Sequence, residues 1–296
     1  METEKLFDNK LLTMTTITYA IVRNNGKEHL AQGSAFYYNE VNPTKPEETG
    51  PQWYEINKQW LVTNRHVVLP KVNGVECVPD EFIFCLRECK NGTISWKPIK
   101  FSGNELLANL KLHPQKYVDV ALIDISSCMK NIFRDIADKK ENNIMLPTAI
   151  SNLNLPQNQP MQIEVTSDIV VASYPKGFYD DKNKFPIVKS GIIASGWGLN
   201  FKGLPIFQID AQLFPGSSGG LVISKPTNIA VINDKLSYNT TKQFVLLGIY
   251  SGEYTWEDQL EIDGEKHPIA TSYGLGNVWY SHLIPTIIQS GVGYTV

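Results

Sequence analysis

Short runs rich in Val, Ile, Thr, Tyr and Phe recur along the chain and are separated by clusters of turn-forming residues. Six of these runs lie near 13–23, 32–39, 58–64, 82–87, 95–101 and 119–125, and six more lie near 163–173, 187–196, 205–211, 220–224, 243–251 and 274–280. Runs of this length and composition are typical of β-strands. The sequence therefore predicts an all-β fold with six strands in each half.

A polar segment rich in Lys, Asn, Asp, Gln and Pro lies between the two sets of strands, over residues 130–160. We predict two six-stranded antiparallel β-barrels packed at a cleft, over residues 1–135 and 161–296, joined by a connection over 136–160 with a helical turn near 130–138. The proline-rich segment 40–56 is expected to be a long hairpin loop. Near the C-terminus, Pro285 suits the first turn of a short helix and Gly291 suits its end.

Composition and charge indicate a folded globular protein and argue against a nucleic-acid-binding function. The chain has 296 residues, of which 42% are hydrophobic and 19% are charged, as in a folded globular protein. Its 27 basic and 30 acidic side chains give a net charge of -3. We expect no nucleic-acid partner, because such a partner requires a basic excess.

Targeting signals and cysteine usage favour a cytoplasmic protein. No apolar run approaches the roughly 18–20 residues of a membrane span, and the N-terminus METEKLFDNK lacks the apolar core of a secretory signal. The spacing of the four cysteines does not match a zinc site, so we expect reduced and mostly buried thiols at Cys77, Cys85, Cys89 and Cys128. Contact with a membrane and binding of a metal are therefore not expected.

The segment PGSSGG at residues 215–220 lies directly before a short apolar strand and is the strongest local signal for chemistry. Glycine tolerates the positive φ that a tight turn requires. In such a turn the backbone N–H groups of Gly216 and Ser218 can point at one spot, as in an oxyanion hole, and Ser218 is a candidate nucleophile. Taken alone, the segment also fits an ordinary β-turn.

A serine nucleophile requires a general base and a carboxylate that orients the base. Among five histidines, His66 ends a predicted apolar strand, where a base can face a cleft. Asp119 begins the predicted strand DVALIDI, and an acid beside a buried strand is costly unless it is paired. Asp124, five residues further on, is expected to face the opposite side. Each residue taken alone also fits a structural role.

The order and setting of His66, Asp119 and Ser218 favour a common site. The three residues are 53 and 99 residues apart, with the first two in the first set of strands and the third in the second set. The boundary between two barrels is a natural place for such a site.

Three segments resemble the signature blocks of the chymotrypsin-fold serine proteases. They are TNRHVV around His66, DVALIDI from Asp119 and DAQLFPGSSGG up to Gly220. The similarity is strongest to bacterial Deg-type and other trypsin-like peptidase domains. The segments GSAF at 33–36 and ASYPKG at 172–177 also resemble conserved segments of that family, although Ala35 stands where the family often has Gly.

The resemblance implies a role for each candidate residue. Ser218 attacks the scissile carbonyl, His66 transfers the proton, Asp119 orients the imidazole, and the N–H groups of Gly216 and Ser218 stabilise the oxyanion. The mechanism needs neither a metal nor an organic cofactor. Ser217 stands where the digestive enzymes carry Asp, so we expect no activation by a newly cut N-terminus.

The resemblance also suggests a substrate pocket. Its floor is expected at Gln212, and Ser251 and Gly252 resemble the wall that pairs with the substrate backbone. A neutral Gln212 argues against a trypsin-like selection of basic residues. The segment 253–265 is predicted to be an acidic loop, which is either simply solvated or selects basic substrates through Glu253 at the pocket rim.

These observations together predict a cytosolic serine endopeptidase that cleaves a protein or peptide substrate. A catalytically idle binding module on the same fold is the alternative, whereas an α/β-hydrolase is disfavoured by the chain order His, Asp, Ser. Two barrels of about 250 residues leave no room for a PDZ-like module. We therefore expect control by a regulatory protein partner, by substrate supply or by an activation loop, in a regulatory or defence pathway.

Overall fold

The computed structural model describes residues 10–43, 54–138, 143–159, 161–176, 178–232, 235–262 and 265–294. The strands of the first half are β1 (Thr15–Asn24), β2 (Lys27–Pro43), β3 (Tyr54–Thr63), β4 (Lys71–Val72), β5 (Val75–Glu76), β6 (Glu81–Lys90), β7 (Thr93–Ser102), β8 (Leu110–Leu112) and β9 (Ala121–Asp124). Its helices are α1 (Lys10–Thr13), α2 (Arg65–Val68), α3 (Gly103–Asn109) and α4 (Ser126–Ala137).

The connection between the halves contains β10 (Ile144–Met145), β11 (Ile150–Ser151) and two 3-10 turns, Asn152–Asn154 and Pro156–Asn158. The strands of the second half are β12 (Asp168–Ser173), β13 (Ile187–Ile193), β14 (Ile206–Asp210), β15 (Leu221–Ser224), β16 (Thr227–Ile232), β17 (Lys235–Gln243), β18 (Leu246–Ile262) and β19 (Glu265–Tyr280). The helix α5 (Leu283–Ser290) follows.

Three hairpins of the first half are formed by Asn-Gly turns. At 25–26, 73–74 and 91–92 both residues have positive φ, with values of 51° to 53° at Asn and 72° to 81° at Gly. Two-residue turns of this kind match the twist of the flanking strands, and Asn-Gly is the sequence that tolerates them best. They join β1 to β2, β4 to β5 and β6 to β7.

The second half contains a closed barrel, and the first half contains a larger sheet. The barrel order is β12-β13-β14-β19-β18-β15. The first sheet has nine strands in the order β10-β6-β1-β2-β3-β9-β8, with β7 beside β6 and β11 beside β2. The all-β fold with two packed sheet systems and a short C-terminal helix is confirmed, although the first sheet has more strands than the six that were predicted.

Three apolar cores stabilise this arrangement. One fills the first half, where α3 inserts Leu106 between the strands, and one fills the barrel around Phe207 and Val278. The third core is shared, because Phe36 and Trp60 of the first half pack in the same cluster as residues of the barrel and of α5. The shared core fixes the two halves against each other, and the candidate site residues lie along this boundary.

Several predicted loops are partly strand. The ends of the predicted loop 40–56 pair as β2 and β3, and residues 44–53 lie outside the described part of the chain. The prediction that residues 253–265 form a loop was wrong. Strands β18 and β19 pair through this segment as far as Ile262 and Glu265. The predicted connection contributes β10 and β11 to the first sheet. The domain boundaries at 135 and 161 stay predictions.

Candidate active site

The segment between β14 and β15 contains a type II turn over residues 214–217, directly before the candidate nucleophile Ser218. The Ser217 N–H donates to the Phe214 carbonyl at 3.0 Å, and Gly216 has a φ of +92°. A type II turn requires positive φ at its third residue and favours Pro at its second, so the Pro-Gly pair at 215–216 selects this turn type.

The direction of the Gly216 N–H follows from the contacts of the same peptide unit. The Pro215 carbonyl accepts a hydrogen bond from the Lys176 N–H at 2.7 Å. Because a trans peptide is planar with C=O and N–H on opposite sides, the Gly216 N–H points away from Lys176. A Cβ at Gly216 would lie 2.5 Å from the Lys176 nitrogen, so this close approach also requires glycine.

Strand β2 holds the turn on both sides of Ser218. The Ser34 N–H donates to the Ser218 carbonyl at 2.8 Å, and the Ser34 hydroxyl donates to the Gly216 carbonyl at 2.9 Å. Ser34 is fully buried, and its carbonyl accepts from the Thr63 hydroxyl. One residue of the first half therefore fixes the backbone of the second half on both sides of the nucleophile.

Asn64 connects three chain segments at the site. It is fully buried at the N-cap of α2. Its Oδ1 accepts from the Gly219 N–H at 2.6 Å, and its Nδ2 donates to the Asp119 carbonyl at 2.7 Å. The backbone of the nucleophile loop and the backbone of the candidate acid are thus held by the residue two positions before His66.

His66 and Asp119 lie in direct contact. Asp119 Oδ2 lies 2.7 Å from His66 Nδ1, and Asp119 Oδ1 accepts from the His66 N–H at 2.9 Å. That N–H lies in the first turn of α2 and has no partner within the helix. The carboxylate therefore satisfies a free backbone donor and orients the imidazole of the same residue. The imidazole side chain is 45% exposed and Asp119 is 22% exposed.

Ser251 links Asp119 to Ser218. The Ser251 hydroxyl donates to Asp119 Oδ2 at 2.7 Å, and its carbonyl accepts from the Ser218 hydroxyl at 3.1 Å. Among the residues that the structure describes, no hydrogen bond joins Ser218 to His66. The hydroxyl of Ser218 is thus half-buried beside the candidate pair and directed at Ser251.

An ion pair supports the short helix that carries His66. Arg65 makes two hydrogen bonds to Glu76, at 2.8 and 2.7 Å, and its guanidinium lies 5.9 Å from the centroid of the Tyr294 ring. The hydrogen bonds from Arg65 hold the pKa of Glu76 below its ordinary value.

A family model described as a trypsin-like peptidase domain matches residues 33–229, which include His66, Asp119 and Ser218. The chain belongs to the trypsin-like peptidases. A search of curated proteins found no match. Among solved structures, the active form of the Rv3671c protease from M. tuberculosis is 14% identical, with a TM-score of 0.44 and coverage of 96% of this chain and 83% of that chain.

Two further residues of this trypsin-like peptidase were singled out from the sequence. Asp124 lies at the end of β9 and is bound by Lys58 and Ser126, away from the candidate site. Ser217 is fully buried, and its hydroxyl accepts from the Ser173 hydroxyl at 3.1 Å.

Of the predicted pocket residues, Ser251 contacts the site directly. Ser251 and Gly252 are half-buried at the start of the β18–β19 hairpin, where Gly252 pairs with Asn277, and Glu253 is half-buried beside them. Gln212 is exposed in the segment that follows β14. Their roles in substrate binding stay predictions.

Sequence reasoning did not assign roles to Ser34, Asn64 or Lys176. Ser34 and Asn64 lie within two segments that resemble the family, GSAF and TNRHVV, and a polar residue in such a segment is a usable signal. Within the described residues, no group of three or more His, Cys, Asp or Glu side chains could hold a metal. None of the helices described is long and apolar enough to cross a membrane.

Proposed function

We propose that this trypsin-like peptidase is a serine endopeptidase in which Ser218, His66 and Asp119 form the catalytic triad. The observation that carries the proposal is the hydrogen-bonded connection from His66 through Asp119 and Ser251 to Ser218. Residues from both halves of the chain meet in this connection, although they are far apart in sequence.

The proposed reaction proceeds through an acyl-enzyme. Ser218 Oγ forms a bond to the scissile carbonyl carbon while His66 Nε2 takes the hydroxyl proton. The C–N bond then breaks, and the amine leaves with that proton. His66 next takes a proton from water as the water oxygen bonds to the ester carbon. The ester C–O bond then breaks, and His66 returns the proton to Ser218 Oγ, which releases the acid and the free serine.

Two parts of the backbone and one carboxylate assist these steps. The N–H groups of Gly216 and Ser218 stabilise the charge that develops on the carbonyl oxygen, and in a related system one such donor contributes roughly 3–4 kcal/mol. Asp119 keeps the Nδ1 proton of His66 in place, so that Nε2 is free to accept a proton. Catalysis requires that the Ser218 hydroxyl turn from the Ser251 carbonyl to His66 Nε2, and we propose that a change of the Ser218 χ1 rotamer makes this turn.

One observation favours the second candidate, a catalytically idle binding module. The hydroxyl of Ser218 donates to the Ser251 carbonyl rather than to the imidazole. If that bond persisted when substrate is bound, the nucleophile would stay unactivated.

Labelling with a fluorophosphonate separates the two functions, because the reagent reacts only with an activated serine. Intact-protein mass spectrometry would be applied to the wild type, Ser218→Ala and Ser290→Ala, whose serine lies at the exposed end of α5. We expect one adduct on the wild type and on Ser290→Ala, and none on Ser218→Ala. An unlabelled wild type that is correctly folded would favour the binding module.

The proposal also covers the substrate, the cellular location and the biological role, for which the support is the sequence alone. We propose a protein or peptide substrate. The residue on the acyl side of the cleaved bond would bind in the pocket formed by Gln212, Ser251, Gly252 and Glu253. A cytoplasmic location, a regulatory protein partner and a regulatory or defence role complete the proposal.

A further inference from the structure

Arg87 is a buried cation that has no carboxylate partner among the residues that the structure describes. It lies on β6 and is 3% exposed. Its guanidinium donates to the carbonyls of Leu12, Thr15 and Lys184 at 2.8 to 3.1 Å and to the Tyr174 hydroxyl. Burying a charge without an opposite charge is costly, so these oxygen atoms must be held in place to offset the desolvation.

The bonds of Arg87 cross from the first half to the second half. Leu12 and Thr15 precede and begin β1, whereas Tyr174 and Lys184 belong to the segment that connects β12 to β13. The guanidinium also lies over two aromatic rings, 5.3 Å from the centroid of Trp96 and 5.2 Å from that of Phe185. A planar cation between two rings, with donors in a fixed fork, is a geometry that lysine does not reproduce.

The segment that Arg87 holds is the one that contacts the turn before Ser218. The Tyr174 N–H donates to the Ser34 hydroxyl at 2.8 Å, and that hydroxyl donates to the Gly216 carbonyl. Two residues later, the Lys176 N–H donates to the Pro215 carbonyl at 2.7 Å. The Lys176 contact fixes the peptide unit whose N–H is the first proposed oxyanion donor, and the Ser34 contact fixes the peptide unit that follows it.

We propose that Arg87 is a positioning residue for the oxyanion hole. It holds Tyr174 and Lys184, which keeps Lys176 against Pro215 and so keeps the Gly216 N–H directed away from Lys176. This inference rests on the proposed peptidase function for its catalytic consequence, whereas its structural consequence is independent of activity. Loss of Arg87 would free the 215–216 peptide to rotate, because the bond that fixes its carbonyl would weaken.

The first readout is hydrogen exchange at the Lys176 amide, measured in the wild type, Arg87→Met and Tyr174→Phe. Tyr37→Phe is the matched control, because it also removes a buried tyrosine hydroxyl close to Arg87, but that hydroxyl donates to the Cys85 carbonyl and makes no hydrogen bond to the described residues of segment 174–185. We expect protection of the Lys176 amide to fall by about tenfold or more in Arg87→Met. It should fall less in Tyr174→Phe, which loses the bond from the Tyr174 hydroxyl to the Lys184 carbonyl but keeps the bond from Arg87 to that carbonyl. Unchanged protection in a folded Arg87→Met would overturn the inference, whatever the activity. If Arg87→Met does not fold, unchanged protection in Tyr174→Phe overturns it.

The second readout is catalytic. In Arg87→Met we expect kcat for a peptide ester to fall by about 10²-fold, the scale seen when one oxyanion donor is lost, with KM changed by less than about threefold. A variant that raised KM alone would contradict a role at the oxyanion hole. An inactive wild type with normal Lys176 protection would refute the proposed function and leave the structural part of this inference standing.

Discussion

The Ser251 hydroxyl donates a hydrogen bond to Asp119 Oδ2 at 2.7 Å. The same carboxylate oxygen lies against His66 Nδ1, so Ser251 restrains the group that orients the imidazole. Replacing Ser251 with Ala removes this donor and leaves the backbone carbonyl in place. We expect the acylation rate to fall by about tenfold, equivalent to about 1.4 kcal/mol, with KM nearly unchanged. Stopped-flow measurement of acylation by a peptide ester gives this rate.

The control for Ser251→Ala is Ser290→Ala, which also removes a serine hydroxyl but only from the exposed end of α5. It should acylate at the wild-type rate. A Ser251→Ala variant that also acylates at that rate would show that Asp119 needs no restraint from Ser251.

Truncating the Asn64 side chain should cause a large loss of stability. Asn64→Ala removes one of two acceptors of the Gly219 N–H, which also donates to the Tyr250 carbonyl. It also removes the donor at the Asp119 carbonyl and leaves a small buried cavity. We expect a loss of about 2–3 kcal/mol in the free energy of unfolding. Urea denaturation followed by tryptophan fluorescence measures the change. Asn109→Ala, at the end of α3 where its bond to the Glu105 carbonyl is exposed to solvent, should stay within about 0.5 kcal/mol of the wild type. Equal losses in the two variants would contradict the bracing role of Asn64.

At Gly219, any added side chain would collide with the backbone of β2. It has a φ of +82°, and a Cβ would lie 1.9 Å from the Ser34 carbonyl oxygen. Gly26→Ala is a matched control, because Gly26 has a φ of +72° and nothing within 4 Å of the added carbon. Gly26→Ala should cost only the conformational strain, about 1–2 kcal/mol.

Gly219→Ala should cost clearly more than Gly26→Ala and should abolish labelling of Ser218. The two variants would be compared by thermal unfolding and by fluorophosphonate labelling. If both variants lost the same stability, the close approach of β2 to the nucleophile loop would be disproved.

The ion pair of Arg65 and Glu76 predicts a pH-dependent contribution to stability. The pKa of Glu76 in the folded state lies below its ordinary value of 4.5, because Arg65 bonds the ionised carboxylate. The contribution is therefore complete above that ordinary value and is lost as the pH falls through the folded-state pKa. Glu76 is 26% exposed, so we expect Glu76→Gln to lower the free energy of unfolding by about 1–3 kcal/mol at pH 7.

The test is urea denaturation of the wild type and Glu76→Gln from pH 7 down to pH 3. The difference between the two free energies of unfolding should be constant down to about pH 5 and shrink below it. A difference that was the same at every pH would mean that packing, and not charge, accounts for it.

The strands that carry their own local signal were predictable from the sequence. All twelve predicted runs overlap an observed strand, because alternating β-branched and aromatic residues suit a half-buried pleated surface. The short strands β4, β5, β8, β10 and β11 were missed, and so were β16 and all of β17 except Gln243. Each of the five short strands has two or three residues, too few for a periodic pattern, and β10 and β11 form only by pairing with the distant strands β6 and β2. The Asn-Gly turn that joins β4 and β5 is a signal that could have revealed that hairpin.

The candidate site was predictable in its residue types but not in its connections. Glycines around Ser218 and a lone acid before an apolar strand are local signals. The bond from Ser251 to Asp119 spans 132 residues, and the bond from Asn64 to Gly219 spans 155. Contacts at that separation depend on how the two halves pack, which no single segment encodes. The expectation that His66 ends a strand was wrong in detail, since β3 ends at Thr63 and His66 lies in α2.

Hydrolysis of a defined peptide library by the wild type, Ser218→Ala and His66→Ala tests the central claim most directly. The account predicts that the wild type cleaves a subset of peptides and that each variant loses at least about 10³-fold in kcat/KM on those same bonds, while remaining folded. Cleavage of the same bonds by Ser218→Ala at the wild-type rate would contradict it.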